Sequence, residues 1–237
     1  MSRTSATRAP IALYSWPTTN GRRVHIMLEE LGLPYQAHAV NLETGEQRSP
    51  AFTALNPVGK IPVIVDPEGP GGRPITLFES GAILLYLAEQ SGRFLSSDPH
   101  LRYETLRWLM FHVGAGPMLG SAHHYRYYAS VAVPYAIDRS TEEVRRLYRV
   151  MEGQLNRNRW MGGGEYSIAD MAAFPWVMQS ARQGIEWCEY PAVQDWYLRV
   201  SERRAVKRGI ATLSECVALI AVPASPSVPA SAPPWAP

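Results

Sequence analysis

Cysteine is scarce in this chain of 237 residues, which contains only Cys188 and Cys216, 28 positions apart. Without a C-x-x-C motif, two distant cysteines form neither a disulfide framework nor a cysteine-based metal site. If a thiol is central to the chemistry of this protein, we therefore expect a bound molecule to supply it.

A strong excess of charge is also lacking. The chain has 23 basic and 21 acidic residues, a formal net charge of +2, which gives no strong electrostatic attraction to nucleic acid or to an anionic membrane. No apolar run approaches the roughly 18 residues that span a membrane, and Met1–Pro10 lacks the apolar segment of a secretory signal peptide. The sequence therefore predicts a cytoplasmic protein that binds neither nucleic acid nor membrane.

The composition itself, with 46% hydrophobic and 19% charged residues, is typical of a folded protein with one large domain or two small ones. The last segment differs, because no charged residue occurs in residues 216–237 and six of the last sixteen residues are proline. We interpret this segment as a disordered Pro/Ala/Ser-rich tail. A ligand for a proline-recognising partner is the alternative interpretation.

The first ninety residues alternate between strand and helix patterns. Val24, Met27, Leu28 and Leu31 recur at helical spacing, and Gly32 is placed to end that helix. The strand candidates are Ile11–Ser15, Tyr35–Asn41, Ile61–Asp66 and Ile75–Phe78, and the further helix candidates are Ser49–Leu55 and Ser80–Gln90. The order βαβ, then α, then ββα predicts an α/β domain with a mixed four-stranded sheet at residues 10–91.

Strand signals stop beyond Gly92, and the rest of the chain shows helical patterns. The helix candidates are Arg102–Val113, Ser140–Asn156, Ser167–Gln183 and Pro191–Arg203. The sequence therefore predicts an all-α second domain at residues 100–215, joined to the first by a linker at Ser91–His100.

The segment Asn56-Pro57-Val58-Gly59-Lys60-Ile61-Pro62 directly precedes the third strand. A proline at this place can adopt the cis form and leave the backbone N–H and C=O of Ile61 open to a peptide-like ligand that pairs as an added strand. An ordinary trans proline at a strand start is the alternative.

Glu79 and Ser80 stand at the start of the helix that follows the fourth strand. Ser80 suits an N-cap, which is the simplest interpretation. If the helix N-terminus is open, its N–H groups bind a carboxylate, and Glu79 beside it pairs with an ammonium group. The pair is therefore chemically suited to the head group of an α-amino acid.

Thr18, Thr19 and Asn20 open the first helix. Their side chains either cap the helix or donate hydrogen bonds to an anion. Because a helix N-terminus can lower the pKa of a thiol, an exogenous thiolate held there would be activated without any protein base.

In this order, the motifs resemble those of the cytosolic glutathione transferases. The resemblance covers about Ile11–Ser214 and includes N-P-V-G-K-I-P, F-E-S-G-A-I-L-L-Y-L-A-E, and Tyr166-Ser167-Ile168-Ala169-Asp170. The last of these contains a capping box of Ser167 and Asp170, which we interpret as structural. The runs P-T-T-N-G and G-P-M-L-G, with His123-His124 after them, are most similar to the nu class, bacterial glutathione-dependent disulfide-bond oxidoreductases.

The resemblance implies a thioredoxin-like N-terminal domain, a helical C-terminal domain and a two-fold homodimer. It implies that Thr18 and Asn20 face the glutathione sulfur as the catalytic residues. The glutathione-binding residues implied by the same comparison are Gln47, Lys60, Ile61, Pro62, Glu79, Ser80 and Arg139. No metal is expected, because the adjacent His123 and His124 would point about 100° apart on a helix.

The function implied is attack of a glutathione thiolate on a disulfide or another small electrophile, with two glutathiones in one site. Accompanying transferase and peroxidase activity is expected. One alternative is a lyase or transferase that acts on aromatic ethers or thioethers, and another is a non-catalytic regulatory protein with the same fold. We expect Tyr14 to be core and Ser15 to be a weaker candidate for the sulfur. Aromatic residues that could line the electrophile pocket, or belong to the core or dimer interface, are Tyr125, Tyr127, Tyr128, Trp176 and Trp187.

Overall fold

The protein is described here by a computed structural model, in which residues 8–218 are placed. The strands are β1 (Ile11–Ser15), β2 (Tyr35–Ala39), β3 (Val63–Asp66) and β4 (Ile75–Phe78). The helices of the first domain are α1 (Thr19–Leu31), α2 (Pro50–Thr53) and α3 (Ser80–Ser91). The helices of the second domain are α4 (Pro99–His123), α5 (Pro134–Leu155), α6 (Ile168–Val177), α7 (Pro191–Ser201), α8 (Arg204–Ala211) and α9 (Ser214–Ala218).

The four strands form one mixed sheet in the order β2-β1-β3-β4. β1 pairs with β2 in parallel, while the β1–β3 and β3–β4 pairs are antiparallel. Ile11 and Leu13 of β1 are fully buried and belong to the main hydrophobic core together with Met27 of α1. The predicted fold class, a mixed four-stranded α/β domain followed by a helical domain, is confirmed.

The bounds of most first-domain elements follow the sequence pattern. β1 and β4 begin and end where predicted. Gly32 closes α1 with a φ of 66°, in the left-handed region that glycine tolerates. β3 begins at Val63 instead of Ile61, because Pro62 has no N–H to donate to a sheet ladder.

The second domain departs from the predicted helices in several places, and α5, predicted to begin at Ser140, begins at Pro134. α4 continues past Val113 to His123, through a glycine-rich stretch and Pro117. The predicted helix at Ser167–Gln183 is divided into α6 and a 3₁₀ turn at Ser180–Gln183. α8 was not predicted, and it packs on α1 so closely that a Cβ on Gly209 would lie 2.7 Å from the backbone of Ile26.

The interior of the second domain is organised around α6, whose ten residues are all buried. The capping box is present, with Ser167 as the N-cap. The Asp170 carboxylate accepts hydrogen bonds from the backbone N–H of Met161 at 2.8 Å and from Trp196 Nε1 at 2.8 Å. The capping box therefore has the structural role that the sequence predicted.

The predicted tail falls mostly outside the described residues. α9 reaches Ala218, so the first three residues of that segment are helical, and residues 219–237 lie beyond what the structure describes. Between residues 8 and 218, no helix has both the length and the hydrophobicity needed to cross a bilayer.

Candidate active site

Two adjoining cavities, together called the site cavity below, lie where the N-terminal domain meets α4 and α6. Their volumes are about 660 Å³ and 380 Å³. Asn20, Lys60, Ile61 and Trp176 line both, so the two cavities share a wall. The first is also lined by Thr18 and Gln47, and the second by Pro62, Glu79 and Ser80. Three motifs far apart in sequence therefore meet around one space.

Thr18 is the N-cap of α1. Its Oγ1 accepts a hydrogen bond from the backbone N–H of Gly21 at 3.1 Å. A hydroxyl that accepts with one lone pair keeps its own proton, and the Thr18 hydroxyl can therefore donate to an anion in the cavity. The capping and ligand-binding interpretations of this residue are thus compatible.

Asn20 is the second residue of α1 and is hydrogen-bonded to the second domain. Its Oδ1 accepts a hydrogen bond from Trp176 Nε1 at 3.3 Å. This bond occupies the oxygen of the amide and leaves the two hydrogens on Nδ2 as donors. The first turn of α1 contains no acidic residue, so its free N–H groups and dipole also favour an anion here.

The backbone beside β3 contains the edge at which a peptide-like ligand was predicted to pair. The Ile61–Pro62 peptide bond is cis, as the first of the two interpretations of this motif requires. Asn56 is buried and folds the preceding loop, donating from Nδ2 to the Lys60 carbonyl at 2.6 Å and accepting the Val58 N–H at 3.0 Å. The loop therefore holds Lys60 and Ile61 against the cavity.

Glu79 occupies the junction between β4 and α3 in a strained conformation. Its φ of 68° and ψ of 110° are rare for a residue with a side chain, at a cost of about 1–3 kcal/mol. Ser80 is not the N-cap, since α3 begins at Ser80 and Glu79 is the capping position without a side-chain hydrogen bond. A strained residue retained at the wall of a cavity suggests a role in ligand binding.

Arg23 is a site residue that the sequence prediction missed. It lines the smaller cavity, and its side chain is 2% exposed. Its guanidinium donates to Ser80 Oγ at 3.1 Å, to the Ala172 carbonyl at 2.8 Å and to the His112 carbonyl at 3.0 Å. Burial lowers the pKa of Arg23 to about 10, against the opposing effect of Glu79, so the group stays charged at neutral pH.

A signal for Arg23 was present in the sequence. It precedes Met27 by four positions and Ile26 by three, so it lies on the apolar stripe of α1. A buried arginine requires hydrogen-bond acceptors or a carboxylate around its guanidinium. The partners could not be identified without the fold, because they come from α3, α4 and α6.

Gln47 and Lys60 lie on the wall formed by the loops before β3. Gln47 Oε1 is buried and has no hydrogen-bond partner among the described residues. A buried carbonyl oxygen of this kind is costly unless a bound group donates to it. Lys60 lines both parts of the site cavity and provides a cation for a carboxylate.

Several other candidates lie away from the site cavity. Arg139 is exposed on α5 and lines neither part, so its role stays a prediction. Ser15 is buried, with its Oγ 2.8 Å from His25 Nε2. Tyr14 packs against the ring of His38 at a centroid distance of 4.8 Å.

Of the five aromatic candidates, Trp176 alone is among the described residues that line the site cavity. Trp187 instead packs against Tyr197 at 5.1 Å. Within residues 8–218, no group of three or more His, Cys, Asp or Glu side chains is placed to hold a metal ion. Neither Cys188 nor Cys216 lines the site cavity.

Comparison with curated proteins identifies relatives over most of the chain. The glutathione S-transferase N-terminal domain family matches residues 19–90, and the glutathione S-transferase C-terminal domain family matches residues 125–204. The chain is 46% identical over 202 residues to the disulfide-bond oxidoreductase YfcG of Escherichia coli (strain K12), covering 84% of this chain and 94% of the relative. It is 43% identical over 214 residues to the disulfide-bond oxidoreductase YghU of the same organism, covering 84% and 74%.

Solved structures of similar fold contain glutathione. A glutathione transferase from Pseudomonas putida, with one glutathione disulfide bound per subunit, matches with a TM-score of 0.82 and 46% identity over 85% of this chain and 90% of that one. A glutathione transferase from Burkholderia graminis, with two glutathione molecules bound per subunit, matches with a TM-score of 0.82 and 41% identity over 86% and 89%. The matches to both domains and to relatives at 43–46% identity establish that the chain belongs to the glutathione S-transferase family.

Proposed function

We propose that this protein reduces small disulfides with glutathione as the thiol donor. The observation that carries the proposal is the pair of hydrogen-bond donors, Thr18 and Asn20, at the open start of α1 in a site cavity that neither cysteine lines. The nucleophilic sulfur then has to come from the bound molecule. The names of the relatives from Escherichia coli support disulfide-bond chemistry.

Glutathione binds along the cavity wall with its two ends recognised separately. The cis Ile61–Pro62 edge pairs with the cysteinyl backbone, while Glu79 binds the γ-glutamyl ammonium and the start of α3 at Ser80 binds its carboxylate. Gln47 and Lys60 bind the glycyl end. Arg23 is a positioning residue, since its hydrogen bond to Ser80 at 3.1 Å fixes the start of α3.

This arrangement places the glutathione sulfur at Thr18 and Asn20. Each hydrogen bond to a charged sulfur contributes about 1.5–3 kcal/mol, which lowers the thiol pKa by about one to two units. A larger fraction of thiolate is then present at neutral pH, and the thiolate is the attacking species in thiol–disulfide exchange.

The reaction proceeds in two exchanges that balance in sulfur and electrons. The glutathione thiolate attacks one sulfur of the substrate disulfide, forms a mixed disulfide and releases a thiolate that takes up a proton. A second glutathione thiolate attacks the mixed disulfide at the glutathione sulfur, and glutathione disulfide and a second thiol leave. Two glutathiones supply the two electrons, and structures of relatives with one glutathione disulfide or two glutathiones bound support a site large enough for both.

The test is turnover of 2-hydroxyethyl disulfide with glutathione, followed through the glutathione disulfide formed. We expect saturable turnover well above the uncatalysed exchange, together with retention on immobilised glutathione. Retention without turnover would favour the non-catalytic alternative, and turnover confined to aromatic ethers or thioethers would favour the lyase alternative.

The same proposal includes a homodimer. Tyr103, Met110 and Met118 are exposed on α4 at 71%, 52% and 40%, with spacings of seven and eight residues that place them on one stripe. Such a stripe is typical of a surface that packs against another chain. Analytical ultracentrifugation should give a dimer, and Met110→Glu should shift it toward monomer.

A cytoplasmic location, where glutathione is kept reduced, is tested by cell fractionation.

A further inference from the structure

Trp176 brings a hydrogen-bond donor of the second domain to the start of α1. It belongs to α6, is 7% exposed and lines both parts of the site cavity. Its Nε1–H donates to Asn20 Oδ1 at 3.3 Å. An indole nitrogen donates a hydrogen bond and cannot accept one, so the Asn20 amide has its oxygen toward the indole and its Nδ2 away from it.

The direction of the Asn20 amide decides its effect on a neighbouring sulfur. With Nδ2 toward the sulfur, the amide donates to a thiolate and stabilises its charge. After a half-turn about the bond between Cβ and Cγ, the amide would present Oδ1, an acceptor, and would favour the protonated thiol. The two orientations have nearly the same shape, so a hydrogen-bond partner is needed to select one of them.

The indole of Trp176 is restrained by its packing and by its own backbone. A Cβ on Gly116 or Gly120 would lie 3.8 Å from the ring, so the ring lies against a face of α4 that carries no side chain at these two positions. The Trp176 carbonyl accepts from Gln183 Nε2 at 2.8 Å, and Gln183 Oε1 accepts from Tyr148 Oη at 2.8 Å. Gln183 is fully buried and Tyr148 is 1% exposed. Interior contacts therefore restrain the group that holds the Asn20 amide.

We propose that Trp176 is a positioning residue for thiol–disulfide exchange, and that it acts through Asn20 by holding Nδ2 toward the glutathione sulfur. This inference rests on the proposed function, because it concerns one of the two hydrogen-bond donors assigned to the sulfur there. It adds that activation of the sulfur by the first domain depends on a residue of the second. Trp176 supplies neither a proton nor a charge in this role, so its effect appears in the pKa of the bound thiol.

The experiment measures the pKa of glutathione bound to the full-length protein, without any electrophile, from the ultraviolet absorbance of the thiolate. Trp176→Phe keeps an aromatic ring and removes the N–H. We expect this variant to raise the thiol pKa by about one unit, which lowers the thiolate fraction about tenfold at pH values below that pKa. Binding of S-methylglutathione, which has no ionisable thiol, should change little. Because no second reactant is present, a role of Trp176 in binding the electrophile does not produce this shift.

The other titratable groups near the indole do not obscure the measurement. His123, whose ring lies 5.7 Å from that of Trp176, is neutral above pH 6.5, since burial lowers its pKa. Arg23, Lys60 and Glu79 line the same cavity. They are unchanged in every protein compared, so their effects on the thiol cancel.

A double-mutant cycle separates positioning from a general effect on the site. Asn20→Ala removes the amide, and adding Trp176→Phe to it should then cause no further rise in the thiol pKa. Trp187→Phe is the matched control, because Trp187 packs against Tyr197 at 5.1 Å and is not among the described residues that line the site cavity. This control should leave the thiol pKa unchanged.

A second measurement tests the contact even if Trp176→Phe does not fold. Nuclear magnetic resonance of the parent with isotope-labelled tryptophan follows the indole N–H of Trp176. Asn20→Ala should speed the exchange of this hydrogen with solvent, because it removes the acceptor. An exchange rate that stays the same would overturn the inference.

The outcomes separate this inference from the proposed function. If the parent lowers the thiol pKa and turns over 2-hydroxyethyl disulfide, an unshifted pKa in Trp176→Phe would overturn the positioning role and keep the reductase. An equal rise with and without the Asn20 amide would also overturn it, since Trp176 would then act by another route. An ordinary thiol pKa in the parent, without turnover, would overturn both proposals.

Discussion

Two buried histidines should make this protein sensitive to mild acid. His25 is fully buried on α1, and His112 is 2% exposed on α4 beside the guanidinium of Arg23. Burial lowers the pKa of His112 to about 3, and the Arg23 charge lowers it further; burial and the charge of Arg22 lower the pKa of His25 to about 4. Both imidazoles are therefore neutral in the folded protein at pH 5.

The direction of the pH effect follows from proton binding. In the unfolded chain both histidines titrate near the ordinary pKa of 6.5, so near pH 5 the unfolded state binds almost two more protons than the folded state. The free energy of unfolding then falls as pH falls, with a slope of about 2.7 kcal/mol per pH unit. At pH 5 each histidine removes about 2 kcal/mol of stability relative to pH 7.5.

The assay is urea unfolding followed by far-UV circular dichroism at pH 5.0, 5.5, 6.0 and 7.5. The double variant His25→Asn, His112→Gln is compared with the parent, because the difference between them cancels other groups such as Asp170, whose pKa burial raises. We expect the parent to lose about 4 kcal/mol more than the variant between pH 7.5 and 5. Equal pH slopes in the two proteins would refute the assignment of these histidines as neutral buried groups.

Three substitutions test the site. Thr18→Val should raise the pKa of bound glutathione by about one to two units, seen as a shift of the pH–rate profile to higher pH, and Thr18→Ser should restore it; an unshifted profile would remove Thr18 from the sulfur site. Glu79→Gln should weaken glutathione binding by about 1.5–3 kcal/mol in calorimetry with a smaller effect on turnover at saturation, whereas unchanged affinity would contradict its role. Arg23→Met removes the hydrogen bonds of the guanidinium to Ser80, Ala172 and His112 and should lower stability by about 1.5–3 kcal/mol in urea unfolding while raising the KM for glutathione; a loss below about 1 kcal/mol would show that the guanidinium is not essential to the interior.

The sequence predicted the first domain well because local patterns determine most of it. The apolar spacing of α1, Gly32 at its end and the strand at Ile11–Ser15 all appear where expected. The site residues contributed by this domain also line the site cavity, since each lies at the start of a helix or in a loop next to a strand. Order along the chain is then sufficient to place them together.

The second domain was harder because packing overrides local preference there. α4 runs through Gly116 and Gly120, which local rules take as helix ends, but both positions lie against the ring of Trp176, where a Cβ would be 3.8 Å away. α8 is stabilised by close contact with α1 at Gly209, a long-range feature that no local pattern contains. Arg23 and Trp176 both form hydrogen bonds between the two domains. The sequence did not identify the partners of these two residues, because local patterns do not show which residues of the other domain lie opposite.

The position of α1 between the two domains bears on how the protein unfolds and evolves. Glu29 and Glu30 pair with Arg208 and Arg203 of the second domain, and Arg23 donates to carbonyls of α4 and α6. The helix to which we assign activation of the sulfur therefore also packs against both domains. We expect a single cooperative unfolding transition, and a gene fragment that ends in the linker should not yield a stable, glutathione-binding half. New substrate preferences can accordingly arise by changes in parts of the site cavity wall other than α1, while a recombination break between the domains would have to preserve every contact of this one helix.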